Sequence, residues 1–171
     1  MANVQDYSFK QHLHNYSVWT ASRAVQRSFT STENIQAAID NSSLRAFAES
    51  QALITEIGFD AFHRSCATSI IDSLRHYTGE KSTYGRAAKI IAIYLKTSVI
   101  LPNSGNCSRS SIIHPPIDSI LLKNLSTHLK RPGIMSKPWT TLNEVDYWGL
   151  VSEIKSIFKP FNWTLEVFWL P

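Results

Sequence analysis

The sequence predicts an all-α fold, formed as a single compact helical domain over residues 1–171. Apolar residues recur at intervals of three and four along most of the chain, which is the spacing of amphipathic helices. No two segments alternate apolar and polar residues as a pair of strands would. The absence of repeats, linkers and low-complexity tracts favours one domain, and the length permits a substantial core. We therefore expect roughly five to seven helices.

The composition indicates a folded protein with a mild excess of positive charge. Apolar residues make up 43% of the chain and the formal net charge is +4, which favours a polyanionic partner without establishing one. The two cysteines, Cys66 and Cys107, provide neither a disulfide framework nor a four-sulfur zinc site. The N-terminus lacks the apolar core of a signal peptide, and the longest apolar stretch, 90–101, is too short to cross a bilayer. We expect a cytoplasmic monomer without a membrane partner.

The first helix, predicted over 10–29, has two distinct faces. Its apolar face is formed by Val18, Ala21, Val25 and Phe29. On another face, residues four apart align as a stripe: Asn15, Trp19, Arg23 and Arg27, with His14 beside it. Such a stripe can contact DNA phosphates or line a base pocket, where an aromatic ring stacks and a guanidinium carries charge. The alternative is a tryptophan packed on a neighbouring element beside two solvated arginines.

The next helices are predicted from capping signals and periodicity. Thr30 and Glu33 have the spacing of a capping box and predict a second helix over about 31–40. A short helical turn follows over 44–48. Apolar residues at steps of three or four then predict a longer helix over 60–77.

A polar turn from Gly79 leads into a nearly all-apolar helix over 84–101, with Ser82 or Thr83 as its cap. A helix, a short turn and a second helix form the framework of a hairpin that offers backbone N–H groups to a phosphate. The cations of this second helix lie at spacings of three and seven, on one side: Arg86, Lys89 and Lys96. That side either meets an anion or is a solvent-facing strip with snorkelling lysines.

The polar loop 103–111 either contacts DNA or is a surface excursion. His114 follows, next to Pro115 and Pro116, and either contacts a substrate or is a loop residue bonded to backbone groups. Asp118 opens the next helix. A lone carboxylate at a helix start is usually a cap, which is the alternative to any catalytic role for it.

The C-terminal part contains two more predicted helices, over 117–129 and 142–158, the second with capping-box spacing from Thr141 to Glu144. The tail 163–169 is too apolar to remain free. We expect it to dock on the core as a short helix or an extended segment.

Gly85-Arg86-Ala87-Ala88-Lys89, followed by Pro116-Ile117-Asp118 at a helix start, resembles the helix-hairpin-helix superfamily of DNA glycosylases. In that superfamily a Gly-x-x-x-Lys helix start forms the second helix of a DNA-binding hairpin, and a later Asp stabilises the sugar cation while the base departs. Lys89 matches the lysine and Asp118 the aspartate. The chain departs from the family in lacking the Leu-Pro-Gly-x-Gly hairpin and in its longer connection between these two residues.

The resemblance implies a helix-hairpin-helix-like element and a DNA glycosylase. Such an enzyme excises a modified or damaged base by hydrolysing its N-glycosidic bond, in repair or in defence against phage. Asp118 and Lys89 would be the catalytic residues. The base pocket would be formed by Trp19, Arg23, His114 and Asn15. The DNA backbone would be contacted by Arg27, Lys81, Ser82, Tyr84, Gly85, Arg86 and Lys96.

Other chemistries lack a motif in this sequence. The six histidines are dispersed without metal-ligand spacing, and neither a Gly-x-Ser-x-Gly sequence nor a P-loop occurs. We expect no metal and no cofactor. The alternative to an enzyme is a helical module that binds DNA or protein, in which the three cations contact phosphates and Asp118 only caps its helix.

Overall fold

The computed structural model describes residues 7–25 and 28–170, and no strand occurs in them, which confirms the all-α prediction. The α-helices are α1 (Phe9–Val25), α2 (Thr32–Asp40), α3 (Leu44–Glu49), α4 (Glu56–Thr78), α5 (Tyr84–Leu95), α6 (Ser119–Leu129) and α7 (Glu144–Ile157). Short 3₁₀ turns lie at Gly79–Lys81, Ser108–Ser111, Pro132–Met135, Trp139–Thr141 and Trp163–Phe168. The last of these is the predicted C-terminal segment, which docks on the core through the buried Leu165.

Helix α5 lies at the centre of the fold, because it packs against both α1 and α4. Its most deeply buried side chains are Ile90, Ile91, Tyr94 and Leu95. Burying one such apolar side chain stabilises a fold by roughly 1.5–3 kcal/mol, so α5 is a principal source of stability. Beyond Leu95 the chain continues as a π-helical stretch, Lys96–Ile100, where the sequence predicted only more α-helix.

Side-chain caps fix the starts of α2, α4, α5, α6 and α7, and both predicted capping boxes are wrong by one or two residues. The caps are Ser31 for α2 and Asn143 for α7, whose side chains accept hydrogen bonds from backbone N–H groups three residues on. Thr55 caps α4, which therefore begins before the predicted position 60. Thr83 caps α5, as one of the two predicted alternatives.

The turn between α4 and α5 is covered by another part of the chain. Gly85 donates its backbone N–H to Leu142 O at 3.0 Å, and Thr83 Oγ1 donates to Thr140 O at 2.8 Å. A Cβ atom at position 85 would lie 1.9 Å from Trp139 O, so only a glycine permits this close approach. Residues 139–142, termed the crossing segment, cover the start of α5. The predicted helix-hairpin-helix element is therefore not confirmed.

Candidate active site

Lys89 and Asp118, which are 29 residues apart in sequence, form an ion pair between α5 and the start of α6. Lys89 Nζ lies 2.7 Å from Asp118 Oδ2. The two side chains are only 7% and 13% exposed, so solvent screens the pair weakly. The sequence named both residues as catalytic candidates, and the fold brings their charged groups into contact.

Asp118 is held by three donors of different kinds. As the N-cap of α6, its Oδ1 accepts the backbone N–H of Leu121 at 2.9 Å. Its Oδ2 accepts from Lys89 and also from Trp169 Nε1, at 2.9 Å. Burial by itself raises the pKa of this carboxyl, but these hydrogen bonds outweigh burial, and its pKa lies below the usual range. Asp118 is therefore a capping residue and an ionised, partly buried carboxylate at the same time.

Lys89 lies against an aromatic ring as well as against its carboxylate partner. Its Nζ is 5.1 Å from the centre of the Trp139 ring, within the range of a cation–π contact. Burial lowers the pKa of Lys89, while the hydrogen bond to Asp118 opposes that shift. Two different segments of the chain thus supply a tryptophan to the ion pair: Trp139 contacts Lys89 and Trp169 contacts Asp118.

An arrangement of this kind can perform two types of chemistry. An ionised carboxylate in a weakly screened position stabilises a cation that develops beside it. An amine whose pKa is lowered by burial has a larger unprotonated fraction and can act as a nucleophile. Without such chemistry, the same ion pair is a structural contact that joins α5 to α6.

The other two cations of the predicted α5 stripe are also engaged with protein groups. Lys96 Nζ forms an ion pair with Glu166 in the C-terminal 3₁₀ turn. Arg86 Nη1 donates to Lys81 O at 2.9 Å, and its guanidinium lies 4.7 Å from the centre of the Phe29 ring. Of the two alternatives for this side of the helix, the solvent-facing strip with snorkelling lysines is therefore wrong, because each cation has a partner within the fold.

The remaining DNA-contact candidates at the start of α5 differ in exposure. Lys81 is exposed, and its Nζ lies 3.5 Å from Ser28 O. Ser82 and Tyr84 are buried, and Gly85 lies under the crossing segment described above. Of these four residues, Lys81 alone has an exposed side chain in this structure, while the other three pack within the fold.

His114, predicted to contact substrate, lies in the core and is 2% exposed. Its Nε2 is 3.2 Å from Asp60 Oδ1 and its Nδ1 is 3.1 Å from the hydroxyl oxygen of Tyr147. Side chains, and not backbone groups, are therefore its partners. The sequence predicted either a substrate contact or a loop residue bonded to backbone groups, whereas the structure encloses His114 among protein side chains.

A chain of buried hydrogen bonds continues from Tyr147 through His63 and Tyr84 to Trp148. Trp148 can only donate and the carboxylate at the other end, Asp60, can only accept. Every intermediate group must then accept one hydrogen bond and donate the next, which fixes both imidazole tautomers: Nε2 carries the proton in each. Burial lowers the pKa of His63 well below the usual range and also lowers that of His114.

Part of the predicted stripe on α1 lies on the protein surface. Trp19 is 50% exposed and stacks on Tyr16, which is 52% exposed, with ring centres 5.6 Å apart. Asn15 Oδ1 accepts from Gln11 Nε2 at 2.8 Å. Arg23 is exposed on the same helix, whereas Arg27 lies outside the described residues.

Several residues of the site were not predicted from the sequence. Trp169 and Trp139 lie in an apolar tail and in a loop, and Tyr16 lies outside the predicted stripe on α1, so no sequence pattern marks them as site residues. The signal for Trp169 was a strongly apolar tail, which indicated docking but not its target. No sequence spacing relates position 169 to position 118, because the contact depends on how the tail folds back over α6.

Two further observations concern metal ions and membranes. Within the described residues, no group of three or more His, Cys, Asp or Glu side chains is placed to hold a metal ion. In the same part of the chain, no helix combines the length and hydropathy that crossing a bilayer requires.

The fold and site define an all-α protein with a buried Lys–Asp pair at the start of a helix, flanked by two tryptophans. Comparisons with protein-family models, with curated proteins and with solved structures found no match to this chain.

Proposed function

We propose that the chain is a DNA glycosylase-like enzyme that excises a modified or damaged base, with Asp118 and Lys89 as its catalytic residues. The observation that carries the proposal is the contact between Lys89 Nζ and Asp118 Oδ2. Two residues chosen from the sequence because they match a superfamily's catalytic pair meet in the fold, although 29 residues separate them.

Asp118 has the properties that glycosidic cleavage requires. As the bond between C1′ and the base nitrogen breaks, the base leaves with the bonding electrons and the sugar becomes an oxocarbenium-like cation. A carboxylate stabilises that cation only if it remains ionised, and the lowered pKa of Asp118 keeps it so near neutral pH. Water then adds to C1′, and its proton passes to the departing base or to solvent.

Lys89 offers a second route through the same site. Its amine, once unprotonated, can attack C1′ and form a C–N bond while the glycosidic bond breaks. Asp118 Oδ2, 2.7 Å from Nζ, is positioned to accept the proton that the amine must lose. The C1′–O4′ bond then opens, O4′ takes up a proton, and a Schiff base forms between Lys89 and the open sugar. This route makes a covalent intermediate, whereas hydrolysis does not.

In this structure the site is covered, so substrate binding requires a conformational change. Trp169 occupies one side of Asp118 Oδ2, and the pair is almost fully covered. A deoxyribose reaches the carboxylate when the Trp169 indole moves away. We therefore include displacement of the C-terminal segment in substrate binding.

DNA as the partner is supported by charge and by one exposed surface. The net charge of +4 favours a polyanion. The exposed Tyr16–Trp19 stack offers an aromatic face on which an unpaired base can lie, and such stacking is worth about 1–3 kcal/mol per base. Repair and defence against phage with modified DNA both fit this chemistry.

A non-enzymatic helical module that binds DNA or protein is the second candidate. The observation that favours it is the engagement of each α5 cation with a protein partner, which gives the Lys89–Asp118 pair a structural role between α5 and α6. In that case the exposed Tyr16–Trp19 stack would be a binding surface without chemistry.

Single-turnover base excision distinguishes the two candidates. The protein is incubated with a panel of duplexes carrying damaged or naturally modified bases, and abasic sites are quantified. Asp118→Asn should reduce the rate at least about 10²-fold, because it removes the stabilising charge. Asp146→Asn is the matched control, since Asp146 pairs with Lys137 at 2.6 Å on a more exposed surface. No base release by the wild type across the panel, or full activity of folded Asp118→Asn, contradicts the enzyme.

A further inference from the structure

A cavity whose lining includes neither Lys89 nor Asp118 lies between the start of α1, the end of α3 and the loop after the π-helical stretch. Its volume is about 190 Å³. One water molecule needs roughly 10–15 Å³ measured in this way, so the cavity has room for a small organic molecule. It is lined by Lys10, His14, Glu49, Ser98, Asn103 and Arg109, among others.

Arg109 is the unusual member of this lining. It is only 6% exposed, yet its hydrogen bonds within the described residues go to neutral carbonyls: Nη1 lies 2.6 Å from Phe47 O and 3.4 Å from Ala48 O. No ion pair to a carboxylate of the described chain accompanies them. An arginine stays charged at all ordinary pH values, and a buried charge without a counter-charge is costly.

The hydrogen bonds to the two carbonyl oxygens orient the Arg109 guanidinium and leave two of its three nitrogens available to another partner. Both of them use Nη1, so Nε and Nη2 make no hydrogen bond within the described chain. The 5.5 Å approach of the guanidinium to the Phe47 ring further fixes its plane. Arginine's planar donor fork matches the two oxygens of a carboxylate or phosphate.

The other charged residues that line the cavity do not cancel its positive charge. Glu49 is already bound by Arg45, with Arg45 Nε 2.8 Å from Glu49 Oε1. Lys10, at the exposed rim, forms no ion pair within the described residues and adds a second positive charge. Leu13 and Pro102 contribute apolar wall that an organic group can cover.

We propose that this cavity is a binding site for a small organic anion, whose carboxylate or phosphate pairs with Arg109 while its remainder contacts the apolar wall. The site is independent of the proposed base excision, because none of its lining residues belongs to the Lys89–Asp118 pair. The proposed ligand is a small molecule and not a phosphate of the DNA backbone. Binding of DNA at this cavity is one of the outcomes that the test distinguishes.

The test is a titration of the ¹⁵N-labelled full chain with inorganic phosphate and, in parallel, with acetate, at low ionic strength. Saturable shifts confined to amides around Ala48, Asn103 and Arg109 are expected. The probe that binds more tightly identifies the anionic group. Absence of saturation with both probes, or shifts spread over all basic surfaces, overturns the proposal.

Variants make the test specific. Lys10→Gln, on the rim, should weaken binding several-fold, and Arg109→Lys should weaken it at least roughly tenfold, because an ammonium cannot reproduce the planar fork. Lys123→Gln on α6 is the control for loss of one surface charge. If Arg109→Lys does not fold, an unchanged affinity in Lys10→Gln overturns the proposal by itself. Displacement of phosphate by duplex DNA, with the same shifts, would reassign the site to the DNA backbone.

Discussion

Trp169 and Lys89 donate hydrogen bonds to the same oxygen of Asp118, Oδ2, at 2.9 and 2.7 Å. One donor comes from the last described segment of the chain and the other from the central helix. The carboxylate therefore connects α5, α6 and the C-terminal segment. Any change at Asp118 should register in stability as well as in activity.

The first prediction concerns the stability of the Lys89–Asp118 pair. Asn caps a helix about as well as Asp, so if capping were the whole role of Asp118, Asp118→Asn would cost only a few tenths of a kcal/mol. In the structure, however, Asp118→Asn leaves the buried Lys89 charge without its partner, and we expect a loss of about 3 kcal/mol in the free energy of unfolding. Urea denaturation measures this difference.

Two variants complete that measurement. Adding Lys89→Met to Asp118→Asn should recover much of the lost stability, because the buried charge is then removed. Asp146→Asn, which breaks the more exposed pair with Lys137, should cost under about 1 kcal/mol. A loss of only a few tenths for Asp118→Asn would show that the ion pair contributes little.

The second prediction tests whether Lys89 acts as a nucleophile. If its amine attacks C1′, borohydride should trap a covalent adduct between protein and substrate DNA, and Lys89→Gln should form none. Lys96→Gln is the control, because Lys96 is also paired with a carboxylate on the same side of the helix. Base release without an adduct in the wild type would assign simple hydrolysis and leave Lys89 with a supporting role.

The third prediction concerns Trp169, whose indole N–H lowers the pKa of Asp118. Trp169→Phe keeps a ring but removes the donor, so the pKa of Asp118 should rise. Carboxyl-detected NMR of the protein as pH is varied measures that rise, and the acidic limb of the excision rate should move to higher pH with it. Trp163→Phe, at the start of the C-terminal 3₁₀ turn that Trp169 follows, should leave both unchanged. An unaltered Asp118 titration in Trp169→Phe would remove Trp169 from the site.

The fourth prediction is a loss of stability in mild acid, caused by His63 and His114. Their folded-state pKa values lie below the ordinary value near 6.5, so the unfolded chain binds protons that the folded chain does not. Stability is therefore complete above about pH 6.5 and falls as pH decreases below it, by up to about 1.4 kcal/mol per pH unit for each histidine. Urea denaturation across this range measures the slope.

Substitutions assign that slope to the buried chain of hydrogen bonds. His63→Gln should reduce the slope, although it also lowers stability at every pH by disrupting the contacts with Tyr84 and Tyr147. His76→Gln, at an exposed position, is the control for loss of a histidine. An acid slope that is the same in His63→Gln and in the wild type would contradict the assignment.

The fifth prediction tests the exposed surface of α1. If Trp19 and Arg23 form the base pocket, Arg23→Ala and Trp19→Ala should each reduce turnover more than they reduce non-specific DNA binding. Salt-dependent affinity measurements beside the excision assay separate the two effects. Equal losses in turnover and binding for Arg23→Ala would assign Arg23 to a phosphate contact.

The sequence by itself determined the all-α class and the approximate position of each main helix. These features follow from local signals, namely the three- and four-residue recurrence of apolar residues and capping residues such as Thr83. Local signals were least accurate at helix starts, where the neighbouring polar residues compete as caps. Ser31 in place of Thr30, and Asn143 in place of Thr141, show the size of that error.

Tertiary structure alone decided which side chains meet. The sequence marked Lys89 and Asp118 separately, but their contact requires the register between α5 and α6, and the cover of Trp169 requires the path of the tail. Burial of His114, Ser82 and Tyr84 was likewise hidden, because polar residues look alike in sequence whether water or a buried partner satisfies them. Only the packed fold distinguishes those two environments.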